Sequence, residues 1–353
     1  MKPKRTLLCD ISSILFRVAA VQKNTNPRNK DLSGEDLVGL CMHISLHSIF
    51  KWYEKFKPDY VVFAFEGQNN WRKTFTANAN SRLAYKGNRV RDPEMKHFYT
   101  LMESFYETMK THTSICCLKV DTMEADDSIA GYCQLNAADD GNEIYIISGD
   151  KDFIQLMKLP GVFLIDPDTG KQRNLPGDKH YEEDLDYWLF LKCVRGDMGD
   201  YVPPAYPRVR ETRVKKAYEN QYERLNFMNE VWRDDDKVFR VGDLFLENVK
   251  LLSLFDQPPE IREKLIERVK AQSTELGKYS HFHFIRFCAD FKLVRVQENA
   301  KKFADMFANN QRFLKGYVAP LPDSSPRVAR YEKEDDMEEV VLKSRPQFKG
   351  LEF

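Results

Sequence analysis

The stretch from Glu124 to Phe153 constrains this chain more than any other. Two groups of acids, Glu124-Ala125-Asp126-Asp127 and Asp150-Lys151-Asp152, flank an apolar run that opens at Gly141, passes through Ile144-Tyr145-Ile146-Ile147 and closes on Ser148-Gly149. That run reads as a buried strand. Ile129, Ala130 and Cys133 follow the first group at helical spacing, so its acids fall in the opening turn of a helix, at the positive end of the helix dipole. The second group lies just past the carboxyl end of the strand, where open parallel sheets build their sites. Either group alone is explained as a helix cap or a turn. Together they gather so much like charge that each carboxylate raises the pKa of the next, a cost that bound cations remove. Oxygen ligands select Mg2+ over zinc, with Mn2+ as a substitute.

The same pattern recurs. Thr6-Leu7-Leu8-Cys9 ends in Asp10 and is followed by helical spacing from Ile11 to Ala20. An amphipathic helix spans Asp36 to Phe56, Pro58-Asp59 breaks it, and Tyr60-Val61-Val62-Phe63-Ala64-Phe65 ends in Glu66. Strands alternating with helices predict an α/β fold: a mostly parallel, twisted sheet flanked by helices, with the acids along its carboxyl edge.

Between Glu66 and Glu124 the texture changes. From Asn69 to Arg91, Arg72, Lys73, Arg82, Lys86 and Arg89 alternate with Trp71, Phe75 and Tyr85. Cations for phosphates and aromatic faces for unstacked bases suit a strand of nucleic acid; the plainer reading is a solvated loop of snorkelling side chains. Lys+Arg and Asp+Glu both number 54, so any basic surface arises by local segregation. No apolar run approaches a membrane span and the amino terminus lacks signal-peptide anatomy, which predicts no membrane partner. Seven cysteines without a Cys-x-x-Cys pair, several in apolar runs (Cys9, Cys133, Cys193), suit buried thiols of a cytoplasmic protein. His43 and His47 share a predicted helix face, and His281 and His283 a predicted strand face. Neither pair has further ligands nearby, so zinc is not expected.

The order of Asp10, Phe65-Glu66, Ala84-Tyr85-Lys86-x-x-Arg89, Glu124-Ala-Asp-Asp127, Gly149-Asp150-Lys-Asp152-Phe-x-Gln-Leu156 and Arg195-Gly196-Asp197-x-x-Asp200 resembles the 5'-nuclease superfamily. That superfamily holds flap endonucleases, the 5'-to-3' exonuclease domains of bacterial DNA polymerases, and phage ribonuclease H. Leu246-Glu247-Asn248-Val249-Lys250-Leu251-Leu252 draws the likeness toward the phage branch, and hence toward the cytoplasm of a host cell. The resemblance implies a PIN/5'-nuclease-like fold and a structure-selective 5' nuclease. Such an enzyme hydrolyses DNA and RNA-DNA hybrids by a two-metal mechanism and removes primers in replication. It further implies one Mg2+ on Asp10, Glu66 and Asp126, with Glu124 directly or through water, and a second on Asp150, Asp152 and Asp200. Asp127 and Asp197 become outer acids. Lys86 and Arg89 are expected at the scissile phosphate, with Arg72, Lys73 and Arg82 lining the same gate and Tyr85 stacking on a base.

Two departures stand out: Glu66 replaces the usual Asp, and Val202 to Arg210 replaces a glycine-rich hairpin turn with arginines. Duplex is then expected on the side chains of Arg208, Arg210, Arg213, Lys215 and Lys216, and the family's potassium site in that turn is expected to be lost. The expected domains are a nuclease domain over 1–200 with a basic arch at 67–95, a small helical duplex-binding domain over 201–317, and a flexible tail over 318–353. Asp234-Asp235-Asp236 reads as a surface loop, and Pro258 to Val269 and Ala300 to Phe313 as helices of the second domain. The tail ends in Gln347, Phe348, Leu351 and Phe353, an apolar plug suited to a partner such as a sliding clamp, with a single-strand DNA-binding protein as a further partner of a monomeric enzyme. The rivals are a non-catalytic binder of branched DNA, a phosphatase using Asp150 and Asp152 as nucleophiles, and an RNA-processing nuclease of the PIN fold.

Overall fold

A computed structural model describes residues 4–25, 34–78, 82–89, 95–137, 141–179 and 181–309. Five apolar runs form one parallel sheet: β1 (Arg5–Asp10), β2 (Tyr60–Ala64), β3 (Cys116–Leu118), β4 (Glu143–Ile147) and β5 (Val162–Ile165), in the order β3-β2-β1-β4-β5. The three central strands are the three that the sequence singles out; β3 and β5 are short edges. Leu7 pairs with Val61 on one side and Tyr145 on the other, so Asp10 ends the central strand one residue beyond Cys9, the partner of Ile147. The order reverses between β1 and β4, and open α/β sheets place their ligands in the crevice at such a switch point.

Helices cover both faces, which is why the strands are continuously apolar. On one face α1 (Ile11–Thr25), α2 (Gly34–Phe56) and, after the short α3 (Trp71–Asn78), α4 (Met95–His112) bury Leu7, Cys9, Val61 and Phe63. Fully buried phenylalanines such as Phe63 and Phe105 stabilise this core by about 1.5–3 kcal/mol each. On the other face lies α5 (Ala125–Asn136). A Cβ on its Gly131 would sit 3.3 Å from Leu265, so the missing side chain is what lets the later helix carrying Leu265 approach.

The contacts divide the described residues into two units: residues up to 78, 88–183 and 259–309, and residues 82–87 with 184–258. The expected boundaries are therefore corrected. The second unit holds α6 (Leu185–Arg195), α7 (Glu211–Glu219), α8 (Gln221–Asn229), an antiparallel hairpin of β6 (Val231–Asp234) and β7 (Lys237–Arg240), and α9 (Val241–Leu252). The following α10 (Pro259–Gln272), α11 (His281–Asp290), α12 (Val294–Glu298) and α13 (Ala300–Phe307) return to the first unit, where Phe284, Phe287, Phe303 and Phe307 complete the core.

The Asp234 to Asp236 surface loop is the tip of the hairpin, with Asp235 at φ 50°. Two local expectations change. His281 and His283 lie on α11 rather than a strand, and His283 stacks on His112 with ring centroids 3.7 Å apart. The last described helix stops at Phe307. All seven cysteines are free and buried, and no helix among the described residues is long and apolar enough to cross a membrane. The tail residues Gln347, Phe348, Leu351 and Phe353 lie outside the described residues.

Candidate active site

Asp10 is buried at the end of β1. Its Oδ1 accepts from the Ser13 amide at 3.0 Å and its Oδ2 from the Ser148 hydroxyl at 3.2 Å. The same Ser148 oxygen accepts from the Asp150 amide at 3.1 Å, so one serine ties the ends of β1 and β4 together. Asp150 caps the 3-10 helix Lys151–Lys158 by accepting from the Asp152 amide at 2.8 Å. Glu66 reaches the first turn of α5 and accepts from the Ala125 amide at 3.2 Å. This approach depends on Gly67, where a Cβ would collide with the Val120 carbonyl.

Asp126, half-buried in the first turn of α5, is the centre of this charge. Burial, and then the carboxylates of Asp10, Asp150, Glu124 and Glu66, push its carboxyl well above the usual range. Among the described residues, no three of these side chains converge on one point at coordinating distance. The donor set is all carboxylate oxygen, the chemistry of a hard divalent cation, and it carries a surplus of negative charge that such a cation would neutralise. The carboxylates of Asp10, Glu66, Glu124 and Asp150 around Asp126 are of the chemical type that such a cation takes.

Asp127 is held differently. It is fully buried, and Arg72 grips it through both guanidinium arms, Nη1 to Oδ2 at 2.7 Å and Nη2 to Oδ1 at 2.8 Å. Trp71 Nε1 and the Glu124 amide also donate to it, at 3.2 and 3.1 Å. Arg72 is only 2 % exposed and reaches Glu124 as well, at 3.1 Å. A phosphate has no access to such a cation. The expected roles of Asp127 as an outer acid and of Arg72 at the gate are replaced by one structural function, which is to fasten α3 to the start of α5 and so fix Glu124 and Asp126. Lys73 and Arg89 are exposed, as a nucleic-acid role requires.

Arg17 is a residue that the sequence reading missed. It stands on α1, seven positions after Asp10, lies against Gly149 beside Asp150, and pairs with Asp168.

In the second unit, Asp197 accepts from Lys192 at 3.0 Å and caps the turn to Asp200 through the Gly199 amide at 2.8 Å. Burial raises its pKa, but Lys192 and the Gly199 and Asp200 amides outweigh that and hold it below the usual range. Tyr85 is 3 % exposed and donates its hydroxyl to Asp200 at 3.0 Å, so stacking on a base is corrected to a structural hydrogen bond. Lys86 Nζ stands 3.7 Å from Asp200. Arg82 is half-buried against the hairpin and donates to the Pro204 carbonyl at 2.6 Å, so its guanidinium is not presented to a phosphate as expected. A concavity of about 670 Å³ is lined by Arg208, Arg210, Arg213 and Lys216 together with Tyr206, Pro207, Val209 and Thr212; Lys215 is not among its lining residues. Arg208 holds a left-handed φ of 57°, a conformation that glycine adopts most readily.

Carboxylates gathered at the switch point of a parallel sheet define the class: an open α/β protein with an acidic cluster at the carboxyl edge of its sheet. The chain belongs to the family described as 5'-3' exonuclease, N-terminal resolvase-like domain, whose profile matches residues 5–185, just over half of the 353 residues. It is 27 % identical to DNA polymerase I of Streptococcus pneumoniae over 228 residues, covering 62 % of this chain and 24 % of the polymerase. It is 26 % identical to an exodeoxyribonuclease of Enterobacteria phage T3 over 168 residues, covering 45 % of this chain and 50 % of that protein. The chain therefore spans about a quarter of the pneumococcal polymerase. Among solved structures, the T5 D15 protein co-crystallized with metal ions is 16 % identical, with a TM-score of 0.51 over 82 % of this chain and 98 % of that one. A substituted T5 D15 flap endonuclease with DNA and metal ions is also 16 % identical, with a TM-score of 0.50 over 84 % of this chain and all of that one. At these identities the structural likeness speaks for the fold.

Proposed function

We propose that the protein is a Mg2+-dependent, structure-selective 5' nuclease that hydrolyses phosphodiesters of flapped DNA and RNA-DNA hybrids, as in primer removal. The observation that carries this reading is Asp126 among the carboxylates of Asp10, Asp150, Glu124 and Glu66 at the sheet's switch point. One ion is assigned to Asp10, Glu66, Glu124 and Asp126, and a second to Asp150 and Asp152. Such cations, when bound, supply Lewis-acid charge and a water of lowered pKa. Water attacks the scissile phosphorus and the 3' oxygen departs, leaving a 5' phosphate and a 3' hydroxyl. Lys86 and Arg89 add positive charge where the phosphate oxygens become more negative. The chain's relatives include proteins named for DNA synthesis and for exonuclease action, in keeping with a role in replication.

The direct test is cleavage of a 5'-labelled flapped duplex and of a nicked RNA-DNA hybrid, in Mg2+ or EDTA, by wild type and Asp150→Asn. Metal-dependent cutting that the substitution abolishes is the expected result. Tight binding to the flap without cutting in Mg2+ or Mn2+ would instead establish a non-catalytic binder of branched DNA and direct attention to Glu66.

The two basic regions divide the labour. Lys86→Ala is expected to slow cleavage about 100-fold with duplex affinity nearly unchanged. Replacing Arg208 and Arg210 together is expected to weaken duplex binding and to flatten its salt dependence by up to about two phosphate contacts. Titrations at several salt concentrations, beside single-turnover rates, separate these outcomes; equal loss of binding in both variants contradicts the division.

A further inference from the structure

The hairpin of β6 and β7 carries a cross-strand aromatic pair, Trp232 opposite Phe239, with ring centroids 4.9 Å apart. Arg82 lies on this pair, its guanidinium carbon 5.1 Å from the Trp232 ring and 5.3 Å from the Phe239 ring. It is bonded to the Pro204 carbonyl, while Trp232 Nε1 donates to the neighbouring Ala205 carbonyl at 2.8 Å. A planar guanidinium stacked on two rings and bonded to backbone is a strut, with little freedom left to follow a phosphate.

Four residues along the chain stands Lys86, in a tight turn closed by the Gly87 amide on the Ala84 carbonyl at 2.8 Å. Lys86 takes a left-handed φ of 52° in that turn, a conformation that a lysine holds only where its surroundings fix it. One side of the turn is fixed to Asp200, by the Lys86 amide on the Asp200 carbonyl at 2.8 Å and by the Tyr85 hydroxyl. The other side is fixed by Arg82 on the hairpin. The base of the hairpin is in turn tied to the basic concavity: Glu230, the residue before β6, accepts from the Tyr206 hydroxyl at 2.7 Å and pairs with Arg213. All of these residues belong to the second unit.

We infer that Arg82, Trp232 and Phe239 are positioning residues that set the place of Lys86, so that the hairpin is a brace for the reaction rather than a surface ornament. The inference rests on the nuclease reading and deepens it. Holding a charged group in place is a large effect, since a displacement of about 1 Å can cost about a hundredfold in rate.

The test uses single-turnover cleavage of a flapped duplex, equilibrium binding to an unflapped duplex, and thermal unfolding. Arg82→Ala and Trp232→Ala are each expected to slow cleavage about 10- to 100-fold, with duplex affinity within about twofold of wild type. Trp232→Phe, which keeps an aromatic face, is expected to restore the rate to within about threefold of wild type. The decisive comparison places Arg82→Ala in a Lys86→Ala background, where it is expected to slow cleavage by less than about twofold more, because the two changes remove one function. If the Trp232→Ala variant melts early, Arg82→Ala, Trp232→Phe and the Lys86 background still decide the matter. Parallel loss of rate and duplex affinity in Arg82→Ala, with a flatter salt dependence, would make Arg82 a direct phosphate contact and overturn the inference. So would an undiminished effect in the Lys86→Ala background, or an Arg82→Ala variant that cuts as fast as wild type. A wild-type protein that binds without cutting would overturn the nuclease reading itself, and this inference with it.

Discussion

Arg72→Met is expected to lower the unfolding free energy by about 3–5 kcal/mol, because it leaves Asp127 buried with its charge uncompensated. Arg72 supplies both arms of a bidentate pair to a carboxylate that water does not reach, and it bonds Glu124 besides. The paired change Arg72→Met with Asp127→Leu is expected to recover most of that loss, since an apolar pair of similar volume has no charge to desolvate. Denaturant unfolding of the two variants in EDTA measures both effects apart from metal binding. A cost below about 1 kcal/mol for Arg72→Met would mean that Asp127 is solvated or protonated in the folded chain. The double variant also separates fold from function: if the pair only fastens α5, the stabilised variant retains cleavage.

Asp126→Asn is expected to abolish cleavage, by about a thousandfold or more, while making the metal-free protein more stable. The opposite signs follow from one cause. Burial and four neighbouring carboxylates raise the Asp126 pKa, so the folded chain holds a proton there that the unfolded chain has already released. In the window between the ordinary carboxylate pKa and the raised one, the folded state binds more protons, so stability falls as pH rises. In EDTA the wild-type melting temperature is therefore expected to decline as the pH climbs from about 4 toward neutrality. Mg2+ is expected to raise it most at the upper end of that range. In Asp126→Asn both dependences weaken. Melting scans across pH, with and without Mg2+, check this, and a flat profile for the wild type would mean that the acids are well solvated and that the centre is not built for a cation.

Much of this site was legible in the sequence because of where its acids fall. Asp10, Glu66 and Asp150 each stand just past an apolar run, and a parallel sheet carries such positions to one edge. What the pattern did not convey is which way an acid turns once it is there. Asp127 is three residues after Glu124, the spacing of a capping box, yet the reading from family resemblance made it an outer acid of the metal site. The burial of Arg72 had no local signal, since its partner is 55 residues away and only the folded chain brings them together. The hairpin was obscured by its own tip: three consecutive aspartates suggested a solvated loop, while Trp232 and Phe239, one on either side, carried the alternation of a two-stranded ribbon. The return of α10 to α13 to the first unit was hidden for another reason. An amphipathic helix records that it has an apolar face, not which of two cores will bury it.

That return affects how the protein is made. Most of the second unit, residues 184–258, is inserted into the first between β5 and α10, and the host core is completed by Phe284, Phe287, Phe303 and Phe307. The family domain ends at residue 185, but a nascent chain released at that point still exposes the apolar face those rings cover. Asp10 and Asp150 are therefore synthesised well before the residues of α11 and α13 that complete this core. Completion of the core beneath the acids thus waits on segments far along the chain from the strands that bear them.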